Sequence, residues 1–315
     1  MNRERESLKG GNCTHAPGLA KTRLAAVSAD NDLPRSCLLT ALASRQNSRR
    51  LKKQRDTFFA GSLLVRVTLG MALLTLVGCQ SPSARDKRTN ATAWFRGGEA
   101  ATLYRQGFAV ARQQLDLVLA QPAPPKPLAL ITDIDETVLD NSPYQVWLIQ
   151  SGETYSLKTW KKWTALASAE PLPGARDFLN HASSRGVTVF YVTNRDQDEA
   201  DATVRNLRAA GFPDADHAHL FCKRTSKNKD DRREEIGKTN TVCLLLGDNL
   251  SDFSSAFDST VVETRGAAVT NHAARFGSNW IVFPNPMYGD WEKARPAGET
   301  NSAGSLIDGL KVPKF

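Results

Sequence analysis

Apolar and polar positions change rhythm several times along the chain, and each change marks an element. From Gly98 to Gln121, Leu103, Phe108, Ala111, Leu115, Val118 and Leu119 recur at roughly helical spacing, with Arg105, Arg112 and Asp116 elsewhere around the axis. That pattern predicts one helix. Four short apolar runs follow, at 128–133 (LALITD), 187–194 (VTVFYVTN), 219–223 (HLFCK) and 241–248 (TVCLLLGD). Each has the length and apolar content of a strand buried on both faces. The segments between them, 175–186, 198–211 and 230–238, are helix-like, and two close on glycine. Strand alternating with helix predicts an α/β domain over 98–295, with a parallel sheet covered by helices on both faces. Residues 142–174, rich in Trp and Tyr, interrupt the first crossover and are expected to form a small, mainly helical accessory part.

A different pattern precedes the domain. Val67 to Gly78 is an uncharged, largely apolar run of twelve residues behind Arg66 and the basic LKKQR at 51–55. It is too short to span a bilayer and has the length of a signal-peptide apolar region. The polar stretch QSPSARDKRTNAT then reads as a tether, assigned to 79–97. Residues 1–50 show no sustained period and are expected to be a disordered upstream extension, with translation starting near Leu51 or Val65; a genuine cytosolic extension is the alternative. The tail at 296–315 carries no functional signal and is expected to be poorly ordered.

Charge changes the picture only in the leader. The formal net charge is +8, yet residues 1–78 hold thirteen Lys/Arg against five Asp/Glu, and residues 79–315 hold twenty-eight of each. The neutral body argues against a nucleic-acid polymer as partner. Of five cysteines, Cys13, Cys37 and Cys79 lie in or at the end of the leader. Cys222 and Cys243 sit in strand-like runs and read as buried thiols. The five histidines show no HExxH or paired spacing, so neither a zinc site nor a histidine nucleophile is supported.

In an open α/β sheet the ligand site lies beyond the C-terminal ends of the strands. The residues there are Asp133 and Asp135 after the first strand; Thr193, Asn194 and Arg195 after the second; Lys223, Arg224, Lys227 and Lys229 past the third; and Asp248 and Asp252 after the fourth. Carboxylates gathered at one edge repel and raise one another's pKa, so an offsetting cation is required. Glu136 and Asp140 are expected to be structural, capping the turn after the first strand.

The order Asp-x-Asp, Thr, Lys and closing acidic motif resembles the haloacid dehalogenase superfamily of phosphoryl-transfer enzymes. DIDETVLDNSPYQ, GDNLSDF (247–253) and NPMYGDWEKA (285–294) further resemble its class C, or lipoprotein e type, acid phosphatases and 5′-nucleotidases. The resemblance implies the Rossmann-like haloacid dehalogenase fold and Mg2+-dependent hydrolysis of a small phosphomonoester, a 5′-nucleotide or nicotinamide mononucleotide. It assigns Asp133 as nucleophile and Asp135 as acid/base, with Asp133, Asp248 and the Asp135 carbonyl as ligands to Mg2+. Thr193, Asn194 and a lysine would bind phosphate. Counting back from RREEI favours Lys229, with Lys227 the second choice. Asp252 would support the metal-bound water or Lys229, and Tyr288 would stack on substrate. The same fold used for binding or adhesion without turnover is the alternative. A homodimer is the assembly entertained, with no residue behind it.

Leu76-Val77-Gly78-Cys79 likewise resembles the lipobox of bacterial lipoproteins. That resemblance implies removal of 51–78 as a signal peptide and a lipid anchor on Cys79. Gln80 rather than Asp follows, so the expected location is the outer membrane, periplasmic or surface-facing.

Overall fold

The structure, a computed structural model, describes residues 82–297. Helices α1 (Pro82–Arg96) and α2 (Gly98–Leu119) lead into strand β1 (Leu128–Thr132). A two-residue strand β2 (Leu139–Asp140) precedes α3 (Ser142–Ser151) and α4 (Leu157–Ala165), and β3 (Glu170–Pro171) closes a small antiparallel ribbon with β2. The chain continues through α5 (Ala175–Ser184), β4 (Thr188–Asp196), α6 (Ala200–Ala209), β5 (Leu220–Lys223), α7 (Asp230–Thr239), β6 (Thr241–Gly247), α8 (Val262–Asn271) and β7 (Trp280–Val282). The main sheet has the order β5-β4-β1-β6-β7, with every pairing parallel. This is the α/β architecture with a parallel sheet that the apolar pattern predicts.

Alternation along the strands sorts side chains into layers. Leu130 of β1, Val189 and Tyr191 of β4, and Leu244 and Leu246 of β6 join Tyr104, Phe108, Ala111 and Leu115 of α2 and Phe178 and Leu179 of α5 in the largest core. Their neighbours Ile131 and Val192 turn the other way, onto Ile236 of α7. Phe253, Phe257 and Trp280 pack with Ala268 of α8 in a separate cluster. Both faces of the sheet are therefore covered.

Three elements depart from the sequence reading. Residues assigned to a polar tether form helix α1 from Pro82 to Arg96. Phe95 and Thr92 are buried, and Arg96 donates to Ser142 Oγ at 3.0 Å, so tertiary contacts hold a helix whose composition is polar. The sequence reading also passed over β7, which is three residues long, and α8, whose buried residues are Arg265 and Ala268 alone. The leader, the Cys79 anchor and the tail beyond Ala297 lie outside the described residues. Among the described residues no helix is long and apolar enough to cross a membrane.

The accessory part is made by α3 and α4. Tyr144 meets Trp160 edge-on at 5.4 Å and stacks on Trp147 at 6.0 Å; Tyr144 and Trp160 are buried while Trp147 and Tyr155 are exposed. Tyr144, Trp160 and the half-buried Trp163 form a small core with Leu148, while Trp147 and Tyr155 stay outside it. The Arg195 guanidinium lies 5.8 Å from the Trp160 ring and ties this core to the end of β4. Cys222 and Cys243 are buried and unbridged.

Candidate active site

Asp133 follows β1 directly, and its backbone N–H donates to the Leu246 carbonyl of β6 at 2.9 Å, seating it between the two central strands. The chain then turns sharply: the Ile134 carbonyl accepts from Val138 and Leu139 at 2.9 and 3.0 Å, and Glu136 takes a positive φ of 56°. A non-glycine residue in the left-handed region must be held by its surroundings. Glu136 is, since its carboxyl accepts from the Asn141 N–H at 2.8 Å and its carbonyl meets the buried Tyr104 hydroxyl. Asp140 accepts from Ser142 N at 2.7 Å at the start of α3. Glu136 thus braces the turn and Asp140 the start of α3, so both are structural, as anticipated.

Asp133, Asp248 and Asp252 bring their carboxylate oxygens within 4.8 Å of one another. The Lys229 ammonium, itself buried, contacts Asp133 and lies 2.7 Å from Asp252. Of the two lysines named in this loop, Lys227 is exposed and Lys229 is the one that reaches the cluster. When ionised, three carboxylates against one ammonium leave a formal charge of −2. Burial first of all pushes Asp133 up to about 7; Asp252 and Asp135 add to the shift and Lys229 opposes it. Asp248 is raised as well, by burial and then by Asp252 and Asp133. The Thr137 hydroxyl stands 3.4 Å from Asp133 Oδ2 and 3.5 Å from Asp248 Oδ1, and Asn285 donates to Asp248 Oδ2 at 2.7 Å. An all-oxygen set with unbalanced negative charge suits a hard divalent cation.

Asp135 turns aside from this cluster. Arg195 grips it through Nη2 at 2.7 Å and Nε at 3.1 Å, and Asn141 Nδ2 donates to it at 2.9 Å. Asn141 in turn accepts from Trp163 Nε1 of α4 at 2.7 Å, so the accessory part reaches the carboxyl through one amide. Arg195 itself is buried and also donates to Thr203 at 3.1 Å.

A family model described as HAD superfamily, subfamily IIIB (acid phosphatase), matches residues 98–291. The chain belongs to this family. The class C acid phosphatase of Bacillus anthracis with tungstate bound is 39% identical, with a TM-score of 0.68 over 73% of this chain and 99% of that one. A second structure of that enzyme gives 0.67 at the same coverage. Acid phosphatase 1 of Solanum lycopersicum is 32% identical over 166 residues, and the stem 31 kDa glycoprotein of Glycine max is 26% identical over 164. The chain covers 57% and 58% of these two curated relatives, each match taking in 50% of this chain.

The subfamily IIIB match spans every residue of the cluster, and the remaining sequence candidates can be placed within it. Thr193, Asn194 and Arg195, expected after the second strand, lie within β4, whose pairing with β5 continues to Asp196; Thr193 is buried there, its hydroxyl accepting from Arg195 N at 3.1 Å. Asn194 is exposed, with Oδ1 accepting from Arg232 at 3.1 Å. Tyr288 is half-buried and packs against the largest core. The segment carrying it is clamped to the closing acidic motif, because Asp290 accepts from Asn249 and Ser251, each at 2.9 Å. Gly247 is needed at the end of β6: a Cβ there would lie 2.8 Å from Asp252 Cγ. Asn141, Thr137, Asn285 and Arg232 were given no place by the sequence reading, and Arg195 was placed at a strand end without a partner.

Proposed function

We propose that this subfamily IIIB protein is a Mg2+-dependent acid phosphatase that hydrolyses small phosphomonoesters through an aspartyl-phosphate. The observation that carries the reading is the buried Asp133–Lys229–Asp252 chain beside Asp248, at the sheet edge where α/β ligand sites lie. Asp133 Oδ attacks phosphorus and the P–O ester bond breaks, while Asp135 gives its proton to the departing alkoxide. Asp135 then takes a proton from water as the water oxygen attacks the phosphoryl group, releasing phosphate and restoring both carboxyl groups. Lys229 and Thr193 hold the phosphoryl oxygens during both steps. Arg195 and Asn141 keep the Asp135 carboxyl in one orientation. Asp133, Asp248 and the Asp135 carbonyl would hold Mg2+, which supplies positive charge to the phosphoryl oxygens.

The substrate class proposed is a 5′-nucleotide or nicotinamide mononucleotide, with Tyr288 stacking on the base. The whole protein is proposed to be anchored through a lipid on Cys79 at the outer membrane. The mass of the mature N-terminal peptide tests the anchor.

Phosphate release from p-nitrophenyl phosphate, 5′-AMP and nicotinamide mononucleotide, with Mg2+ or EDTA, tests the activity. Wild type is expected to turn over only with Mg2+, and Asp133→Asn not at all. Equal rates for wild type and Asp133→Asn would refute the mechanism; full turnover in EDTA would remove the metal.

A further inference from the structure

Arg232 lies in the first turn of α7, three residues beyond Lys229, and its side chain is wholly buried. A buried guanidinium ordinarily meets a carboxylate, because stripping it of water costs several kcal/mol. This one is met by neutral oxygens. Nη1 donates to the Thr193 carbonyl at 2.6 Å and lies 3.5 Å from that of Phe221. Nη2 reaches Asn194 Oδ1 at 3.1 Å and the carbonyls of Lys227 and Asn228 at 3.3 and 3.0 Å. Nε is the sole buried side-chain nitrogen or oxygen without a hydrogen-bond partner among the described residues. The Asp231 carboxylate, 3.7 Å from Nε, is itself 57% exposed.

These acceptors come from the end of β4, from β5, and from the loop that delivers Lys229. If packing alone were at stake, an apolar side chain of similar volume would serve as well or better. What the guanidinium adds is a set of fixed, forked donors that fasten residues 227 and 228 to β4 at Thr193 and Asn194. Lys229 follows at once as the residue that caps α7, and its ammonium must reach Asp133 across the sheet edge.

We infer that Arg232 is a positioning residue, setting the loop before α7 so that Lys229 and the end of β4 converge on the phosphoryl group. The assignment rests on the reading of Lys229 as a phosphoryl-binding group. Misplacing such a group by about 1 Å is enough to cost about 10²-fold in rate.

The test compares kcat for p-nitrophenyl phosphate, inhibition by inorganic tungstate, and thermal melting. The proteins are Arg232→Lys, Arg232→Gln, Lys229→Met and the two double variants. The Arg232 variants are expected to melt cooperatively, to lose about 10- to 100-fold in kcat, and to bind tungstate more weakly. In the Lys229→Met background the same changes should alter kcat less than about twofold, since residues acting as one unit are not additive. Wild-type kinetics for both Arg232 variants would overturn the assignment. So would losses that multiply with that of Lys229→Met, or loss of the cooperative melt in both Arg232 variants. Wild-type activity in Lys229→Met would overturn the reading of Lys229 itself, an outcome the Arg232 variants alone cannot produce.

Discussion

Replacing Lys229 by methionine keeps much of the side chain's length and removes its charge. The ammonium is buried against Asp133 and Asp252, and those two partners, after the opposing effect of burial, hold its pKa above the ordinary lysine value. Removing one member of a buried pair costs about 3–5 kcal/mol, because its partner is left charged and unmatched. For a domain of this size each kcal/mol is worth roughly 2–4 °C in Tm, so the variant should melt up to about 6–20 °C lower at about pH 8. The loss should depend on pH. Asp133 already titrates at about 7 with the lysine present, and losing the cation moves it further up. At about pH 5 the carboxyl is therefore protonated in the variant, and the Tm deficit should shrink to half or less of that at about pH 8. Scanning calorimetry of metal-free protein at the two pH values measures this. On the kinetic side, loss of one group that stabilises developing phosphoryl charge should lower kcat by about 10²–10³. Equal Tm losses at both pH values would refute the electrostatic account. A kcat unchanged in Lys229→Met but lost in Lys227→Met would move the phosphate-binding role to the exposed lysine.

Metal removal should show the same charge imbalance from the other side. Burial, reinforced by neighbouring carboxylates, raises Asp133 to about 7 and lifts Asp248 well above the usual range. A raised native pKa means that the folded chain holds protons which the unfolded chain releases above about pH 4, so metal-free stability falls as pH rises from about 4 through 7. EDTA-treated protein should melt lower at about pH 7.5 than at about pH 5.5, and Mg2+ should raise Tm more at the higher pH; a Mg2+ shift equal at both would count against the site. Gly247→Ala places a methyl group against the Asp252 carboxyl. Overpacking of this kind costs about 1–3 kcal/mol, seen as a lower Tm, and kcat should drop because Asp252 holds Lys229; an unchanged Tm would mean the turn relaxes around the methyl.

What the sequence disclosed and what it hid divide along the range of the interactions. The strand ends were legible because each is a local apolar run stopped by a polar residue, and a parallel sheet brings those stops to one edge. The choice between Lys227 and Lys229 was not, since the loop before α7 has no period and only tertiary burial separates the two. Helix α1 was missed because its composition is polar and, among its described side chains, Thr92 and Phe95 alone are buried; β7 was missed because three residues are too few to show alternation. Arg195 and Asp135 are sixty residues apart, and no local pattern could pair them.

That pairing carries the last step of the argument. Asp133 and Asp135 are two residues apart at one strand end, yet they meet different cations. Asp133 meets a lysine, a compact charge on a flexible stem that can move toward a phosphoryl oxygen when the carboxylate bonds to phosphorus. Asp135 meets an arginine, a planar fork that is backed by Thr203 and lies against the Trp160 ring. A fork gripping both carboxylate oxygens fixes orientation, which suits the role proposed for Asp135, giving a proton in the first half-reaction and taking one in the second. The chemistry proposed for two neighbouring aspartates is thus separated by the partners that the fold brings to each.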